Sequence, residues 1–396
     1  MIKTAPVWLL LILLGFPQFS ENIYSPALPT MAHALATSNT LAQWTLTLYF
    51  IGFAVGVFSF GRLSDHWGRR VAILSGLVVY ALGALLCALS HSIDVLLFAR
   101  LVQGFGGSAC SVVGQAIARE ALHDSQRHQF FSLSGVVLAV CITVGPFVGG
   151  YLTQWFGWES NFILLLVLGL AILCASSLRL PETRAKGMTV SAVWPVLKRM
   201  LCDVRVLSAS GLVGIMNGIL FSYYAQGPFV FIKMLHFTPI QFGRLGLLLA
   251  FSALSAGFVS RRLSKHLGYR ALLILGGVLM LLCSAAMLSF VVLGWVSANH
   301  PVVSLVLIML PMMGLVFTTY GFVTPIALGQ ALVHYKEALG TAGAVFGLSY
   351  YLLVSLITAA MAWLGHFGLV AMPAYFFGLS LVSLFLLYRL GRCLNA

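Results

Sequence analysis

Residues 61–70 read Gly61-Arg62-Leu63-Ser64-Asp65-His66-Trp67-Gly68-Arg69-Arg70, and the chain returns to this phrase 200 residues later. There, Arg262-Leu263-Ser264-Lys265-His266-Leu267-Gly268-Tyr269-Arg270 matches Arg62 to Arg70 at six of nine positions. The offset is about half of the 396 residues, so the chain reads as two copies of one unit. Outward from the two phrases lie twelve apolar runs: 7–30, 41–62, 70–90, 94–117, 131–153, 160–180, 205–229, 240–262, 270–292, 301–325, 340–364 and 370–390. Each is close to the ~20 residues that a helix needs to cross a bilayer. In both halves the phrase joins the second run to the third. Two like-oriented repeats of six helices are the architecture of a rocking transporter. The expected fold is an all-α membrane protein with 12 transmembrane helices in two six-helix pseudo-symmetric bundles. The bundles cover 1–180 and 205–396, and the polar stretch 181–204 links them.

Composition points the same way. Hydrophobic residues make up 60% of the chain and charged residues 8%, against roughly 25% charged in soluble domains. Soluble cores stop growing near ~250–300 residues, so this much apolar surface calls for lipid as its solvent. The net charge of +13 is not a nucleic-acid stripe. Of the 22 lysines and arginines, all but Arg100, Lys233 and Arg244 fall in alternate loops. That is the positive-inside pattern, and it places both termini in the cytoplasm. The first apolar run holds Pro17, Glu21 and Pro26 and has no small-x-small cleavage site, so it reads as a retained spanning helix.

Seven cysteines lie at 87, 110, 141, 174, 202, 283 and 393 without a CxxC. They read as small core residues with no disulfide frame. No histidine pair has metal-ligand spacing, so no metal is expected. No cofactor is implied either, and without a phosphate-binding loop ATP is not the driver. Nothing resembles a nucleophile–base constellation, which argues against an enzyme.

The chemistry is concentrated in two charges inside spans, Glu21 and Arg100. Intramembrane charges are costly and mark functional sites. By helical rise, Glu21 lies ~15 Å and Arg100 ~9 Å from the outer ends of their helices, close enough for the pair to meet. Gln18, Asn22 and Ser25 share a polar stripe with Glu21. A carboxylate set between desolvation and an arginine can take a proton in one state and release it in another. Glu21 is therefore the expected coupling acid, with Arg100 modulating it. Polar-tipped and amide residues are expected to line the cavity: Gln18, Asn22, Tyr24, Gln103, Gln115, Asn217, Tyr223, Tyr224, Gln226, Tyr320, Tyr350 and Tyr351.

Several motifs also resemble a known family. Gly61 to Arg70 resembles the signature loop G-x-L-[AS]-D-R-x-G-R-R/K of the major facilitator superfamily. Arg100-Leu101-Val102-Gln103-Gly104-Phe105-Gly106 resembles its fourth-helix motif R-x-x-Q-G-x-G. Gly145-Pro146-Phe147-Val148-Gly149-Gly150 resembles the antiporter motif G-P-x-x-G-G of its drug–proton exporters. Asn22-Ile23-Tyr24-Ser25-Pro26-Ala27-Leu28-Pro29 resembles D-x-Y-x-P-A-L-P of the bicyclomycin-resistance/chloramphenicol-exporter (Bcr/CflA) type. Pro181-Glu182-Thr183 and Gly340-Thr341-Ala342-Gly343 are similar to that type's sixth-helix end and eleventh-helix start.

The resemblance implies proton-coupled efflux of small hydrophobic or amphiphilic compounds, such as drugs, by alternating access. It implies a monomer in a bacterial inner membrane, with protons, small-molecule substrate and membrane lipid as its partners. Gly61, Asp65, Gly68, Arg69 and Arg70 would form a cytoplasmic gate latching the halves. In it Asp65 would accept bonds from arginines and cap a helix N-terminus. Gly145, Gly149 and Gly150 would allow close helix approach, and Pro146 a bend. The chain departs from the pattern at Asn22, where the family has Asp and the acid stands one residue earlier. It departs again at Glu159, in place of the Arg of G-W-R, and at Lys265 opposite Asp65. Other readings are a dedicated exporter of a native metabolite or siderophore, and a non-transporting receptor or lipid-handling protein.

Overall fold

The computed structural model describes residues 5–184 and 193–393. The first half comprises α1 (Val7–Ala34), α2 (Asn39–Trp67), α3 (Arg69–Ala88), α4 (Ile93–Ala121), α5 (Asp124–Phe156) and α6 (Glu159–Arg179). A short amphipathic helix, α7 (Val193–Cys202), precedes the second half. That half comprises α8 (Val204–Met234), α9 (Pro239–Leu263), α10 (Tyr269–Val292), α11 (Pro301–Ala331), α12 (Leu339–Leu364) and α13 (Ala371–Cys393). Among the described residues eleven stretches are long and apolar enough to cross a membrane, the last running continuously from Gly340 to Cys393. Gly368 breaks that stretch with φ 77° and ψ −147°, which separates α12 from α13 and gives twelve spans.

Local sequence explains where the helices start and bend. Ser38 and Ser92 cap α2 and α4 by accepting from Leu41 N and Val95 N. Thr238 and Gln241 form a capping box at α9. Asp203 caps α8 through Arg205 N and Val206 N. The first helix is broken: it is α-helical to Asn22, turns through a 3-10 segment at Ser25–Ala27, and resumes at Leu28. Pro26 and Pro29 remove two backbone donors there, which the α-helical ladder cannot tolerate. Both α8 and α11 widen into π-helix, at Phe229–Met234 and Thr319–Val323.

Two cores form, one mainly from α1–α6 and one mainly from α8–α13. Phe221, Ala225, Phe229, Tyr351 and Val354 of the second half join the first core, and Ile142 of the first joins the second. The halves meet chiefly along α2 against α12 and α5 against α9. The outer surface is apolar, with Phe98, Leu178 and Phe258 exposed, as lipid-facing positions require.

Glycines pack differently in the two halves. In the first, the space for a Cβ at Gly52 is taken by the Leu101 carbonyl, at Gly56 by the Phe105 carbonyl, and at Gly104 by the Tyr49 carbonyl. So α2 and α4 touch backbone to backbone. In the second, Gly211, Gly214, Gly218 and Gly277 face the side chains of Leu386, Leu353, Ile357 and Leu387.

Candidate functional site

Glu21 occupies the last turn of α1 before its break and is fully buried. Among the described residues neither carboxylate oxygen has a hydrogen-bond partner. Its neighbours differ: Ser20 Oγ lies 2.7 Å from Tyr80 Oη, and Asn22 Nδ2 donates to the Gln18 carbonyl at 3.0 Å, while Asn22 Oδ1 is left without a hydrogen-bond partner among the described residues. Arg100, Tyr49, Tyr320, Tyr350 and Tyr351 lie within electrostatic range of the Glu21 carboxyl. These residues come from α4, α2, α11 and α12, so both halves converge on the carboxylate.

Arg100 is buried as completely as Glu21. Its guanidinium lies between two rings, 4.2 Å from the centroid of Tyr24 and 4.3 Å from that of Tyr49. Phe162 closes a third side at 5.7 Å. Nη1 donates to Gln103 Oε1 at 2.5 Å and Nε to the Thr45 carbonyl at 3.4 Å. The expected meeting with Glu21 is not a direct pair: among the described residues no ion pair joins them. Aromatic faces and an amide one helical turn away hold the guanidinium instead, because α2 and α4 approach so closely that Tyr49 stacks on it. A cation between desolvated rings is stabilised by about 2 kcal/mol.

The motif at Gly145–Gly150 explains how α1, α5 and α9 cross. A Cβ at Gly149 would collide with the Ile23 carbonyl at the break in α1, and one at Gly145 would sit 3.1 Å from the Phe19 carbonyl. Gly150 faces the Pro239 carbonyl, and Gly243 faces that of Pro146. Two glycines thus seat α5 under the break of α1, while Gly150 and Pro146 seat it against α9.

Other cavity candidates divide. Tyr24 and Gln103 belong to the Arg100 cage. Tyr320, on the π-helical turn of α11, lines a cavity no larger than about one water, together with Ile142, Thr143 and Leu220. Tyr350 and Tyr351 stack at 4.3 Å, and Tyr351 packs on Phe53 at 4.5 Å across the halves. Gln226 accepts from Gln43 Nε2 at 2.7 Å, and Tyr224 donates to the Ile142 carbonyl at 3.4 Å, both also bridging the halves. The remainder lie apart. Tyr223 donates to Met309 Sδ at 3.3 Å and packs among Phe231 and Phe242 in the second core. Asn217 bonds back to the Val213 carbonyl of its own helix. Gln18 and Gln115 are half-buried, and Gln115 lies about 18 Å along α4 from Gln103.

The loop at Asp65 is also built differently from expectation. Asp65 is not a helix cap, because α2 continues to Trp67 and holds it within the final turn. It does accept from an arginine, as expected: Arg69 Nη1 donates to it at 2.6 Å. Arg69 forks onto Glu120 through Nη2 at 2.7 Å and Nε at 3.1 Å, and reaches Ser64 Oγ at 2.6 Å. The cap of α3 is Glu182, whose oxygens accept from Arg69 N at 2.9 Å and Arg70 N at 3.1 Å. Gly68 is needed twice: its φ is +106°, and Glu182 fills the space of a Cβ. Burial raises the Glu182 pKa, but backbone donors from Arg184, Arg69, Arg70 and Thr183 outweigh it and hold the carboxyl below its usual value. Asp65, Arg69, Glu120 and Glu182 thus tie the first half to its own exit strand. Contact with the second half comes through small residues: Gly61 faces Ala344, and a Cβ added at Gly340 would lie 4.0 Å from Asp65 Oδ2. Tyr49, Gln43, Glu120 and Glu182 were missed as site residues. Only Glu182 carried a sequence signal, the Pro-Glu-Thr at the end of the sixth run.

With this geometry in hand, the sequence profile of the Major Facilitator Superfamily matches residues 10–359. The chain belongs to the major facilitator superfamily. This superfamily member is 32% identical over 362 residues to an uncharacterized transporter of Rickettsia bellii, covering 90% of this chain and 89% of the relative. It is 27% identical over 266 residues to a bicyclomycin resistance protein homolog of Haemophilus influenzae, covering 66% and 67%. The fold of the POT family transporter PepTSo superposes with a TM-score of 0.77 at 13% identity, over 96% and 97% of the two chains. The protein is a multi-pass membrane transporter.

Proposed function

We propose that this transporter exports small hydrophobic or amphiphilic compounds from a bacterium in exchange for protons. In this reading, bundles 1–180 and 205–396 rock about the centre of the inner membrane, and the lysine- and arginine-rich end faces the cytoplasm. The observation that carries the proposal is Glu21: a fully buried carboxyl with no protein hydrogen bond, set where both halves converge. Such a group is satisfied by a proton in one state and by donors of a cationic or polar substrate in another. Arg100, fixed by its aromatic cage, supplies a steady opposing field. The surrounding tyrosines suit amphiphilic cargo. Drugs are the favoured cargo because the Haemophilus relative is described as a bicyclomycin resistance protein homolog.

The test is exchange in proteoliposomes under an imposed pH gradient. Wild type moves substrate against protons, whereas Glu21→Gln loses pH-driven exchange to background and retains substrate counterflow. Normal proton exchange by Glu21→Gln would overturn the assignment.

A further inference from the structure

Three cations depart from the loop pattern of this chain: Arg100, Lys233 and Arg244. Arg100 belongs to the central site. The other two lie at the lysine- and arginine-poor end, where topology gives them no role. Both sit on the second half, and both reach onto the first. Lys233, in the π-helical end of α8, donates from Nζ to Asn39 Oδ1 at 3.3 Å, at the start of α2. Arg244, on the second turn of α9, donates from Nη2 to Tyr151 Oη at 2.8 Å, and its guanidinium lies 5.8 Å from the ring of Tyr151.

These bonds rim a seam that is already closed beneath them. Gly150 meets the Pro239 carbonyl and Gly243 meets the Pro146 carbonyl, so α5 and α9 touch backbone to backbone. Ile240 N donates to Gln154 Oε1 at 3.4 Å. Further in, Gln43 bonds to Gln226 at 2.7 Å and Thr47 to Thr358 at 3.1 Å. Among the described residues, the partners of Lys233 and Arg244 are all neutral: the Asn39 amide oxygen, and the hydroxyl and ring of Tyr151. An exposed cation on a neutral acceptor makes a weak, quickly exchanged bond, which suits a contact that must break in each cycle.

On the alternating-access reading above, we infer that Lys233 and Arg244 are positioning residues of the outer seal, holding α8 and α9 onto α2 and α5 until the halves part. They touch neither the proton site nor the cargo. Their removal biases the protein toward the state open at this end.

The experiment places a cysteine at Thr358, buried at the seam, and measures its labelling by a membrane-impermeant maleimide added from the arginine-poor side. The same proteins without that cysteine give the background from native thiols. Two weak contacts together amount to about fivefold in a two-state population. Lys233→Gln/Arg244→Gln therefore labels about fivefold faster, with a raised KM for cargo presented from the opposite side. Lys233→Arg/Arg244→Lys keeps both donors and labels as wild type. Wild-type labelling rates in the double glutamine variant would overturn the proposal. So would equal acceleration in the donor-keeping variant, which would mark mere distortion. If cargo or a pH step leaves wild-type labelling unchanged, alternating access at this seam fails instead, whatever the variants do.

Discussion

The arginine-rich end and the membrane centre each bury an arginine with carboxylates, and they treat them in opposite ways. At the arginine-rich end Arg69 is saturated: Asp65, Glu120 and Ser64 hold its guanidinium, and Glu182 takes its backbone N–H. At the centre Arg100 leans on rings, the Gln103 amide and the Thr45 carbonyl, and among the described residues the Glu21 carboxyl has no hydrogen-bond partner. A closed network fixes geometry. An open pair leaves a group ready to change partner. Charge in this protein serves structure where it is complete and chemistry where it is not.

The contrast can be broken most sharply at Arg69. Arg69→Ala strands Glu120 and Asp65 beside each other and should cost about 3 kcal/mol, read as a lowered unfolding midpoint in mixed micelles. Glu21→Gln in the same assay should leave the midpoint unchanged or raise it. Equal destabilisation by both would erase the distinction. A smaller effect is expected at the cage: Arg100→Lys keeps the charge but cannot lie flat between two rings. Transport should fall about tenfold, measured as initial rate in proteoliposomes, with the unfolding midpoint held. The smallest effect concerns Glu182. Its lowered pKa means that its contribution is present above the ordinary carboxylate value and is lost as pH falls through the lowered one. Glu182→Gln should therefore lower thermal stability modestly at neutral pH and change it little in acid, narrowing the loss between the two relative to wild type.

The spans were legible because lipid forces every backbone group into a helix, so apolar length is nearly the whole signal. The prolines that break α1 were equally visible, and so was the burial of Glu21 and Arg100. What surrounds those charges was not. Tyr49 sits in an apolar run and becomes a wall of the Arg100 cage only because Gly104 lets its backbone close on α4. Glu120 and Glu182 reach Arg69 from 51 and 113 residues away, distances at which no local pattern operates. Asp65 looked like a cap because the loop reads as polar, yet α2 carries its helix past it to Trp67. Tyr223 and Tyr350 share a side-chain type, and only packing sends one into a core and the other toward Glu21.

The unequal glycine contacts have a mechanical consequence. Backbone pressed on backbone, as at Gly52, Gly56 and Gly104, cannot yield without breaking helical geometry. The leucine and isoleucine side chains that meet Gly211, Gly214, Gly218 and Gly277 can change rotamer and give way. The first half is thus a stiff lever and the second a compliant cushion. A strain on the helix packing is therefore taken up first at these leucine and isoleucine contacts of α8–α13, before the backbone contacts of α2 with α4 give way.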